Sequence, residues 1–359
     1  MSADFAEARL SVDLDALAAN YAAIAREAAG ATLAPVVKAD GYGLGAGPVA
    51  RRLRAEGARS FFVARVSEGE ALRAALGERE TEIFILDGAT PGSQPHLAEA
   101  ALTPVLSTTD QAAYWREAGG AGAFALHVDT GMNRLGVSLD QAEALARAGL
   151  SPDLVMSHLG AAAEPEHPRN TAQLARFAIA RALFPDARAS LSASAGIFLG
   201  PDYRFDLVRP GISLYGGGPR ERPDPRIAAV ATLDAPILQI RDLKAGEQIG
   251  YGAMFTAPRT MRVAVAGAGY ADGVLRTSHA KGAAWIDGAR APFLVVTMDM
   301  IVIDLAACPK AKIGDRVELL GPHAPLDELA AAASSVAHEI LVRLGARARR
   351  SYVGEISAG

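Results

Sequence analysis

The sequence is almost devoid of cysteine and has no excess of positive charge. Cys308 is the only cysteine in 359 residues, which excludes an internal disulfide framework and favours a reducing compartment such as the cytoplasm. The 36 Lys and Arg residues against 40 Asp and Glu give a net charge of -4, so neither nucleic acid nor an anionic membrane is expected as a partner.

Long apolar runs are also missing. Residues 1–10 lack the uninterrupted apolar core of a signal peptide, and no run elsewhere is long enough to span a bilayer. Half of the residues are nevertheless hydrophobic, so the chain can bury one large core or two ordinary ones. We therefore expect a soluble cytoplasmic protein of enzyme size, with no membrane contact.

Short apolar runs alternate with alanine-rich amphipathic stretches from about residue 32 to residue 216. The strand-like runs are 34–37, 60–63, 82–86, 104–106, 124–128, 154–157, 189–192 and 207–209. The helical patterns include 48–56, 68–76, 110–118, 139–148 and 172–183. About eight such βα units predict a closed, TIM-like (β/α)₈ barrel. An open doubly wound sheet is the competing fold, but no Gly-rich dinucleotide turn follows the first strand.

The Gly/Pro-rich residues 216–225 interrupt this rhythm and are interpreted as a linker. Beyond them, runs at 227–240, 261–265, 283–286 and 293–305 are rich in Val and Ile, with one helix predicted at 325–333. Asp287-Gly288 is a strong hairpin signal. We therefore predict an N-terminal segment at 1–10, whose strand-like run at 8–12 can pair with either domain, a barrel at 11–220, and a mostly β C-terminal domain at 221–359.

Lys38 is the residue that most strongly indicates chemistry. It ends the apolar run 35–37 and opens a Gly-rich turn, Lys-Ala-Asp-Gly-Tyr-Gly. Burial disfavours an ammonium and lowers the pKa of a lysine, which yields a free amine able to form a Schiff base or act as a base. The alternative interpretation is a lysine that simply pairs with a carboxylate at the end of a strand.

Other polar or small residues also follow the predicted barrel strands, where barrel enzymes place their active sites. These segments are Asp129-Thr-Gly-Met-Asn-Arg134, Ser157-His158, Ser192-Ala-Ser-Ala-Gly196 and Arg209-Pro-Gly-Ile212. Small residues after the last strands suit the binding of a phosphate by backbone N–H groups.

Taken in order, these motifs resemble the alanine racemase family, and the resemblance covers nearly the whole chain. The matching segments begin at Val12-Asp-Leu-Asp-Ala-Leu and continue through Val37-Lys-Ala-Asp-Gly-Tyr-Gly, Asp129-Thr-Gly-Met-Asn-Arg-Leu-Gly, Ser157-His, Arg209-Pro-Gly-Ile-Ser-Leu-Tyr-Gly, Gly250-Tyr-Gly, Gly269-Tyr-Ala-Asp-Gly, Thr297-Met-Asp and Glu339-Ile-Leu. The resemblance implies a fold-type III barrel that binds pyridoxal 5'-phosphate and acts on alanine, supplying D-alanine for peptidoglycan.

The resemblance also implies roles around the cofactor. Lys38 would bond covalently to the cofactor aldehyde, and Arg209 would face the pyridine nitrogen. A guanidinium does not give up its proton, so that nitrogen should remain unprotonated and the ring should be a weaker electron sink. The residues implied in holding the phosphate are Ser194, Gly211, Ile212 and Tyr42, with His338 where a tyrosine is usual.

The remaining implied roles concern the substrate. Tyr251, from the partner subunit, would be the second base beside Lys38, so the resemblance implies a homodimer with shared active sites. A residue matching His158 links that tyrosine to the arginine matching Arg209. The residues implied in contacting the substrate are Arg134, Met298 and Tyr270, and no metal is implied.

Several positions depart from the family pattern. His127 stands where many members carry a carbamylated lysine that pairs with the carboxylate-binding arginine. Ala163 and Val295 replace an aspartate and an arginine common near the entrance, which permits a racemase of broader specificity. A non-catalytic pyridoxal phosphate barrel protein is disfavoured because such proteins lack a second domain. A decarboxylase would carry a cysteine near its centre, and a metal-dependent enzyme would need a ligand cluster that the sequence lacks.

Overall fold

The computed structural model describes residues 7–117, 119 and 122–355. Its strands, in chain order, are β1 (Arg9–Asp13), β2 (Thr32–Leu33), β3 (Ser60–Val63), β4 (Glu82–Ile85), β5 (Thr103–Leu106), β6 (Ala125–His127), β7 (Leu154–Met156), β8 (Arg188–Ser190), β9 (Leu207–Val208), β10 (Ala231–Leu243), β11 (Gln248–Ile249), β12 (Phe255–Thr256), β13 (Met261–Ala266), β14 (Ala283–Ile286), β15 (Ala289–Val296), β16 (Ile301–Asp304), β17 (Arg316–Leu320) and β18 (Arg349–Val353).

The α-helices alternate with the strands in the first two thirds of the chain. They are α1 (Leu14–Glu27), α2 (Lys38–Tyr42), α3 (Ala46–Ala55), α4 (Val66–Leu76), α5 (Gln94–Glu99), α6 (Thr109–Glu117), α7 (Leu139–Arg147), α8 (Pro168–Leu183), α9 (Ser194–Ile197), α10 (Leu326–Ala332) and α11 (Ala337–Arg343). None of the helices in these described ranges combines the length and the apolar character needed to cross a membrane.

The described chain divides into two compact units. One consists of Ala18–Leu214, and the other of residues 7–17 together with Tyr215–Glu355. The first contains the barrel strands, and the second contains most of the antiparallel structure. Residues 216–225, which the sequence marks as a linker, belong to the second unit, where the N–H of Gly218 donates to Oδ2 of Asp327 at 2.8 Å.

The unit Ala18–Leu214 is a closed parallel barrel. Strands β3 to β8 form a six-stranded parallel sheet in chain order, and β2 pairs in parallel with β9. Two parallel bridges, Val36 to Phe62 and Ala193 to Arg209, close the ring on both sides of the β2–β9 pair. Nearly every residue in β3 to β7 is buried, as expected for strands covered on both faces. The predicted (β/α)₈ barrel is confirmed.

Local differences from the predicted bounds have simple causes. Strand β2 is two residues long because residues 34–37 pair with the neighbouring segments on either side through isolated hydrogen bonds and not through a continuous ladder. The N–H of Val36 donates to the Pro210 carbonyl, and that of Val37 donates to the Phe62 carbonyl. Helix α8 begins four residues before the predicted start, at Pro168, because proline suits the first helical position and the His167 side chain caps the helix.

The second unit is built on an antiparallel sheet, as predicted for the C-terminal part. The eight strands of this sheet lie in the order β13-β16-β15-β14-β17-β10-β1-β18, and β1 pairs antiparallel with β10 and parallel with β18. The run that precedes the barrel in sequence therefore belongs to this sheet. Asp287 and Gly288 form the β14–β15 hairpin, with φ angles of 47° and 77°.

The apolar run 293–305 is divided in the structure. It contains the end of β15 and the whole of β16, separated by a tight turn. The N–H of Thr297 donates to the carbonyl of Met300 at 2.9 Å, which reverses the chain. Val295, which the family resemblance places near the entrance of the active site, is fully buried in an apolar cluster with Met261, Val263 and Leu294.

Candidate active site

Lys38 begins a left-handed turn of the backbone, which follows the first barrel strand. Ala39, Asp40 and Tyr42 have φ angles of 53°, 54° and 57°, so the chain makes nearly a full turn in the left-handed region. Each L residue there costs about 1–2 kcal/mol, so the turn needs external support. The N–H of Gly43 donates to the Ala39 carbonyl and that of Ala46 to Oδ1 of Asp40, both at 2.8 Å.

Glu68 provides a further support that the sequence did not reveal. Its Oε1 accepts from the N–H of Ala39 at 2.8 Å, while Oε2 accepts from the N–H of Ala64 at 2.7 Å and of Arg65 at 3.2 Å. Glu68 thus caps helix α4 and holds the residue next to Lys38. A capping box usually begins with Ser or Thr, and Arg65 at that position hides the signal.

The Lys38 amine lies in an electrostatic environment that favours its neutral form. Burial, followed by the positive charge of Arg134, lowers the pKa of Lys38 below its ordinary value. The carboxylates of Glu68 and Asp87 act in the opposite direction. A lysine held in this way provides more of the free amine that Schiff-base formation and proton abstraction require.

Arg209 is a buried guanidinium held entirely by neutral groups. It is 3% exposed, and Nη1 donates to the Ser190 carbonyl at 3.0 Å while Nη2 donates to the Ser157 carbonyl at 2.6 Å. The guanidinium also lies 5.9 Å from the ring centroid of Phe62. Its Nε–H has no acceptor among the described residues, so one charged donor remains available to a ligand.

Arg209 favours one tautomer of His158. Nη2 of Arg209 lies 3.5 Å from Nδ1 of His158, and because a guanidinium can only donate, this contact favours the form with the hydrogen on Nε2. Burial and then the Arg209 charge lower the pKa of His158 to about 3. The imidazole is therefore neutral near pH 7 and presents an Nε2–H donor.

Ser194, Gly211 and Tyr42 form a cradle of hydrogen-bond donors. The Ser194 hydroxyl oxygen accepts from the N–H of Gly211 at 2.9 Å and of Ser213 at 3.2 Å, while the N–H of Ile212 makes no hydrogen bond within the described chain. A Cβ on Gly211 would lie 2.3 Å from the Tyr42 hydroxyl, so only glycine allows this approach. The Ile212 N–H and the hydroxyls of Ser194 and Tyr42 are the donors that this cradle can offer to an oxyanion of a phosphate.

Arg134 lies in a loop between β6 and α7. Its side chain is exposed and makes no ion pair or hydrogen bond with the described residues. His127, at the end of β6, is 8% exposed, and burial followed by the charge of Arg209 lowers its pKa to about 4. His127 is therefore neutral near pH 7 and offers Arg134 no negative charge.

The other four predicted site residues, Tyr251, Tyr270, Met298 and His338, belong to the second unit. The N–H of Tyr270 donates to the Thr297 carbonyl and that of Ala271 to the Met298 carbonyl, both at 3.0 Å, so the segments carrying Tyr270 and Met298 form one structure. Tyr251 is 85% exposed, in a short 3₁₀ turn. His338 lies in the first turn of α11.

An ion pair between the half-exposed Arg347 and the buried Asp272 braces the Tyr270 and Met298 segments. Arg347 donates from Nε to Oδ1 of Asp272 at 2.9 Å and from Nη2 to Oδ2 at 2.6 Å, and it also bonds to Asp299. Asp272 is 2% exposed and accepts in addition from the N–H of Gly269 at 2.8 Å. Arg347 thus ties the segment 269–273 to the turn that carries Met298.

Comparison with known protein families assigns most of the chain to one family. Models of the alanine racemase N-terminal domain and C-terminal domain match residues 12–219 and 230–352. The chain belongs to the alanine racemase family. Within the described ranges, no three His, Cys, Asp or Glu side chains come together as ligands of a metal ion.

Individual members of the alanine racemase family match over almost the full length. The catabolic alanine racemase of Agrobacterium fabrum is 43% identical over 360 residues, covering 97% of this chain and 92% of the relative. The biosynthetic alanine racemase of the same organism is 42% identical over 367 residues, covering 96% and 93%. The crystal structure of the Bartonella henselae alanine racemase, with covalently bound pyridoxal phosphate, has a TM-score of 0.90 at 34% identity and covers 97% of this chain and 100% of that one.

Proposed function

We propose that this protein is a pyridoxal 5'-phosphate-dependent alanine racemase that interconverts L-alanine and D-alanine. The observation that carries the proposal is the partly buried Lys38, whose pKa is lowered, in the same barrel as the phosphate cradle and the Arg209–His158 pair. The choice of alanine as the substrate follows from membership of the alanine racemase family, and the described residues supply the groups that the reaction needs.

The described residues fit pyridoxal phosphate. The hydroxyls of Ser194 and Tyr42 and the N–H of Ile212 would hold the phosphate beside Gly211, while the free Nε–H of Arg209 would donate to the pyridine nitrogen. We also assign His338 to the phosphate. When bound, the cofactor supplies a covalent link to the substrate amine and draws electrons from the α carbon.

Racemisation requires a proton-transfer group on each face of the α carbon. We assign one face to Nζ of Lys38 and the other to the phenol oxygen of Tyr251 of the partner subunit. An unperturbed tyrosine is a poor base near pH 7 because its pKa is about 10. The Nε2–H of His158, oriented by Arg209, is a donor suited to stabilising the phenolate.

The substrate carboxylate is assigned to Arg134, whose guanidinium makes no other contact with the described residues. The backbone near Met298 of the partner subunit would bind the same carboxylate, and Tyr270 would narrow the entrance, which suits a methyl side chain. The proposal therefore includes a homodimer in which each active site takes residues from both copies. A cytoplasmic location fits the single cysteine, and the D-alanine product would serve peptidoglycan synthesis.

The proposal is tested by incubating the protein, loaded with pyridoxal phosphate, with L-alanine in D₂O. We expect optical rotation to decay while deuterium enters the α position. Lys38→Ala should abolish both changes, whereas Lys281→Ala, at an exposed lysine, should leave both unchanged. Deuterium uptake with rotation retained would contradict the two-face assignment. If neither change occurs with alanine but serine, lysine or arginine is racemised, alanine is not the substrate and the protein is a racemase of that other amino acid.

A further inference from the structure

The orientation of Arg134 has no electrostatic source within the described residues. The guanidinium has no carboxylate partner there, and the nearby His127 is neutral near pH 7 because burial lowers its pKa to about 4. A long exposed side chain without a partner samples several rotamers, and binding must then restrict it at an entropic cost. Within the described residues, the backbone that carries Arg134 therefore sets the region that its guanidinium can reach.

That backbone is a closed loop, residues 129–136, which we call the Arg134 loop. Its base is closed by hydrogen bonds from the N–H of Asp129 to the Val137 carbonyl at 2.8 Å and from the N–H of Val137 to the His127 carbonyl at 2.9 Å. Inside the loop, the Asp129 carboxylate accepts from the N–H groups of Gly131, Met132 and Asn133 at 2.8, 2.8 and 2.9 Å. The loop is therefore rigid in itself.

Helix α8 fixes the Arg134 loop from outside through two side chains. Arg169 donates from Nε to the Gly131 carbonyl at 3.1 Å and from Nη2 to the same oxygen at 2.5 Å. Gln173, which is 1% exposed, donates from Nε2 to the Thr130 hydroxyl at 3.2 Å. Both contacts fall within the first half of the loop, on the residues that lead to Arg134.

Gln173 also holds the end of strand β7. Its Nε2 donates to the His158 carbonyl at 2.9 Å, and its Oε1 accepts from the N–H of Gly160 at 2.8 Å. The Thr130 hydroxyl lies 2.8 Å from the Ser157 hydroxyl, which is a second link between the same two segments. One buried amide thus joins the loop of Arg134 to the strand end that carries His158.

We infer that Arg169 and Gln173 are positioning residues that place Arg134 against the substrate carboxylate, and that Gln173 sets this position relative to His158. This inference rests on the proposed function, because it takes Arg134 as the carboxylate ligand. Neither residue touches the reacting atoms. Each acts through hydrogen bonds to backbone or hydroxyl groups, so the effect should depend on geometry and not on charge alone.

The test compares Arg169→Met, Arg169→Lys and Gln173→Met with the unchanged holoenzyme. The measured quantities are kcat and KM for L-alanine and the Kd of propionate, which is alanine without its amino group and reports carboxylate binding without turnover. A misplacement of about 1 Å costs up to about 10²-fold in such sites. We expect Arg169→Met to raise KM and the propionate Kd about tenfold with kcat within about twofold of the unchanged enzyme.

Gln173→Met should raise the KM for L-alanine and the Kd of propionate. It should also lower kcat, because it removes the hydrogen bonds that hold the strand end carrying His158 as well. Arg169→Lys should recover most of the propionate affinity, since an ammonium can still reach one carbonyl. Gln111→Met is the control: Gln111 also joins two loops, through the Ser107 N–H and the Asp87 carbonyl at 2.7 and 2.8 Å, but none of these partners lies in the Arg134 loop. It should leave the propionate Kd unchanged.

The inference is overturned if folded Arg169→Met binds propionate as the unchanged enzyme does, or if Gln111→Met weakens propionate equally. If Gln173→Met does not fold, the two Arg169 variants still decide the matter. A failure of the proposed function is a separate result, since it would appear as an unchanged enzyme that binds propionate but does not racemise alanine.

Discussion

Glu68 accepts a hydrogen bond from the backbone N–H of Ala39, the residue that follows Lys38, at 2.8 Å. The same carboxylate caps helix α4 through Ala64 and Arg65, so a helix start and the left-handed turn of the proposed catalytic lysine share one anchor. The arrangement also brings a negative charge near Lys38, which raises the pKa of an amine that burial lowers.

Glu68→Gln should weaken this anchor. An amide offers one acceptor oxygen where the carboxylate has two, so about 1–3 kcal/mol of unfolding free energy should be lost. The pKa of Lys38 should fall further, because the charge that raises it is removed, and uptake of pyridoxal phosphate by the apoprotein should shift to lower pH. Denaturant unfolding and absorbance measured against pH check the two effects.

The control for that variant is Glu70→Gln on the same helix. Glu70 is exposed and bonds to His96 at 2.8 Å, far from the lysine turn. An exposed pair of this kind contributes about 0–1 kcal/mol, so both readouts should stay close to those of the unchanged protein. Equal shifts in the two variants would contradict a specific role for Glu68.

His127 and His158 should make the protein less stable as the pH falls below 6.5. Their folded pKa values, about 4 and about 3, lie below the ordinary value of 6.5, so the unfolded chain binds more protons in this range. Stability is therefore complete above pH 6.5 and decreases below it. Between pH 6.5 and 5, where most carboxylates remain ionised, the two residues should cost about 3 kcal/mol.

Denaturant unfolding at several pH values measures this slope. His127→Gln removes one of the two titrating groups, so its loss between pH 6.5 and 5 should be about half that of the unchanged protein. A slope identical in both proteins would show that His127 does not titrate with a lowered pKa. Arg209 stays charged throughout and does not contribute to the slope.

Gly211→Ala should damage the phosphate cradle. The new Cβ would lie 2.3 Å from the Tyr42 hydroxyl and 3.6 Å from Cβ of Val36, so the tyrosine has to move away from the donors it joins. We expect the Kd of pyridoxal phosphate to rise at least about tenfold, which corresponds to about 1.4 kcal/mol. Absorbance titration of the apoprotein with cofactor measures the change.

Gly122→Ala is the matched control for the cradle variant. Its Cβ would meet only the Trp115 ring, at 4.0 Å, which is ordinary van der Waals contact. Cofactor affinity should therefore match that of the unchanged protein. If Gly211→Ala binds the cofactor equally well, the phosphate lies elsewhere.

Mixing inactive subunits should restore activity if the active sites are shared. Lys38→Ala and Tyr251→Phe each inactivate both sites of a homodimer, but a mixed dimer carries one site with both residues intact. Up to about half of the subunits then enter mixed dimers, so about a quarter of the sites should recover. Racemisation after subunit exchange, with exchange followed by native mass spectrometry, provides the measurement. Exchange without activity would contradict a site built from two copies.

The sequence alone was sufficient for the barrel and for the order of its motifs. Strands such as Ser60–Val63 and Ala283–Ile286 have the predicted bounds, because apolar runs of this length report burial directly. The break between β15 and β16 inside the run 293–305 was not predicted, since a tight turn inside an apolar stretch leaves no Gly or Pro signal. Helix α1 was not among the predicted helical patterns.

The groups that support the site became visible only in the folded chain. Glu68 lies 29 residues from Ala39 and Gln173 lies 43 residues from Thr130, and neither spacing matches a local motif. The pattern of apolar and polar residues along the sequence indicates the type of secondary structure and its buried face, because residues close in sequence determine both. Hydrogen bonds between distant residues depend on the parallel pairing of neighbouring strands, which brings their carboxyl ends together. The sequence determined which residues carry the chemistry, and tertiary structure decided what holds them in place.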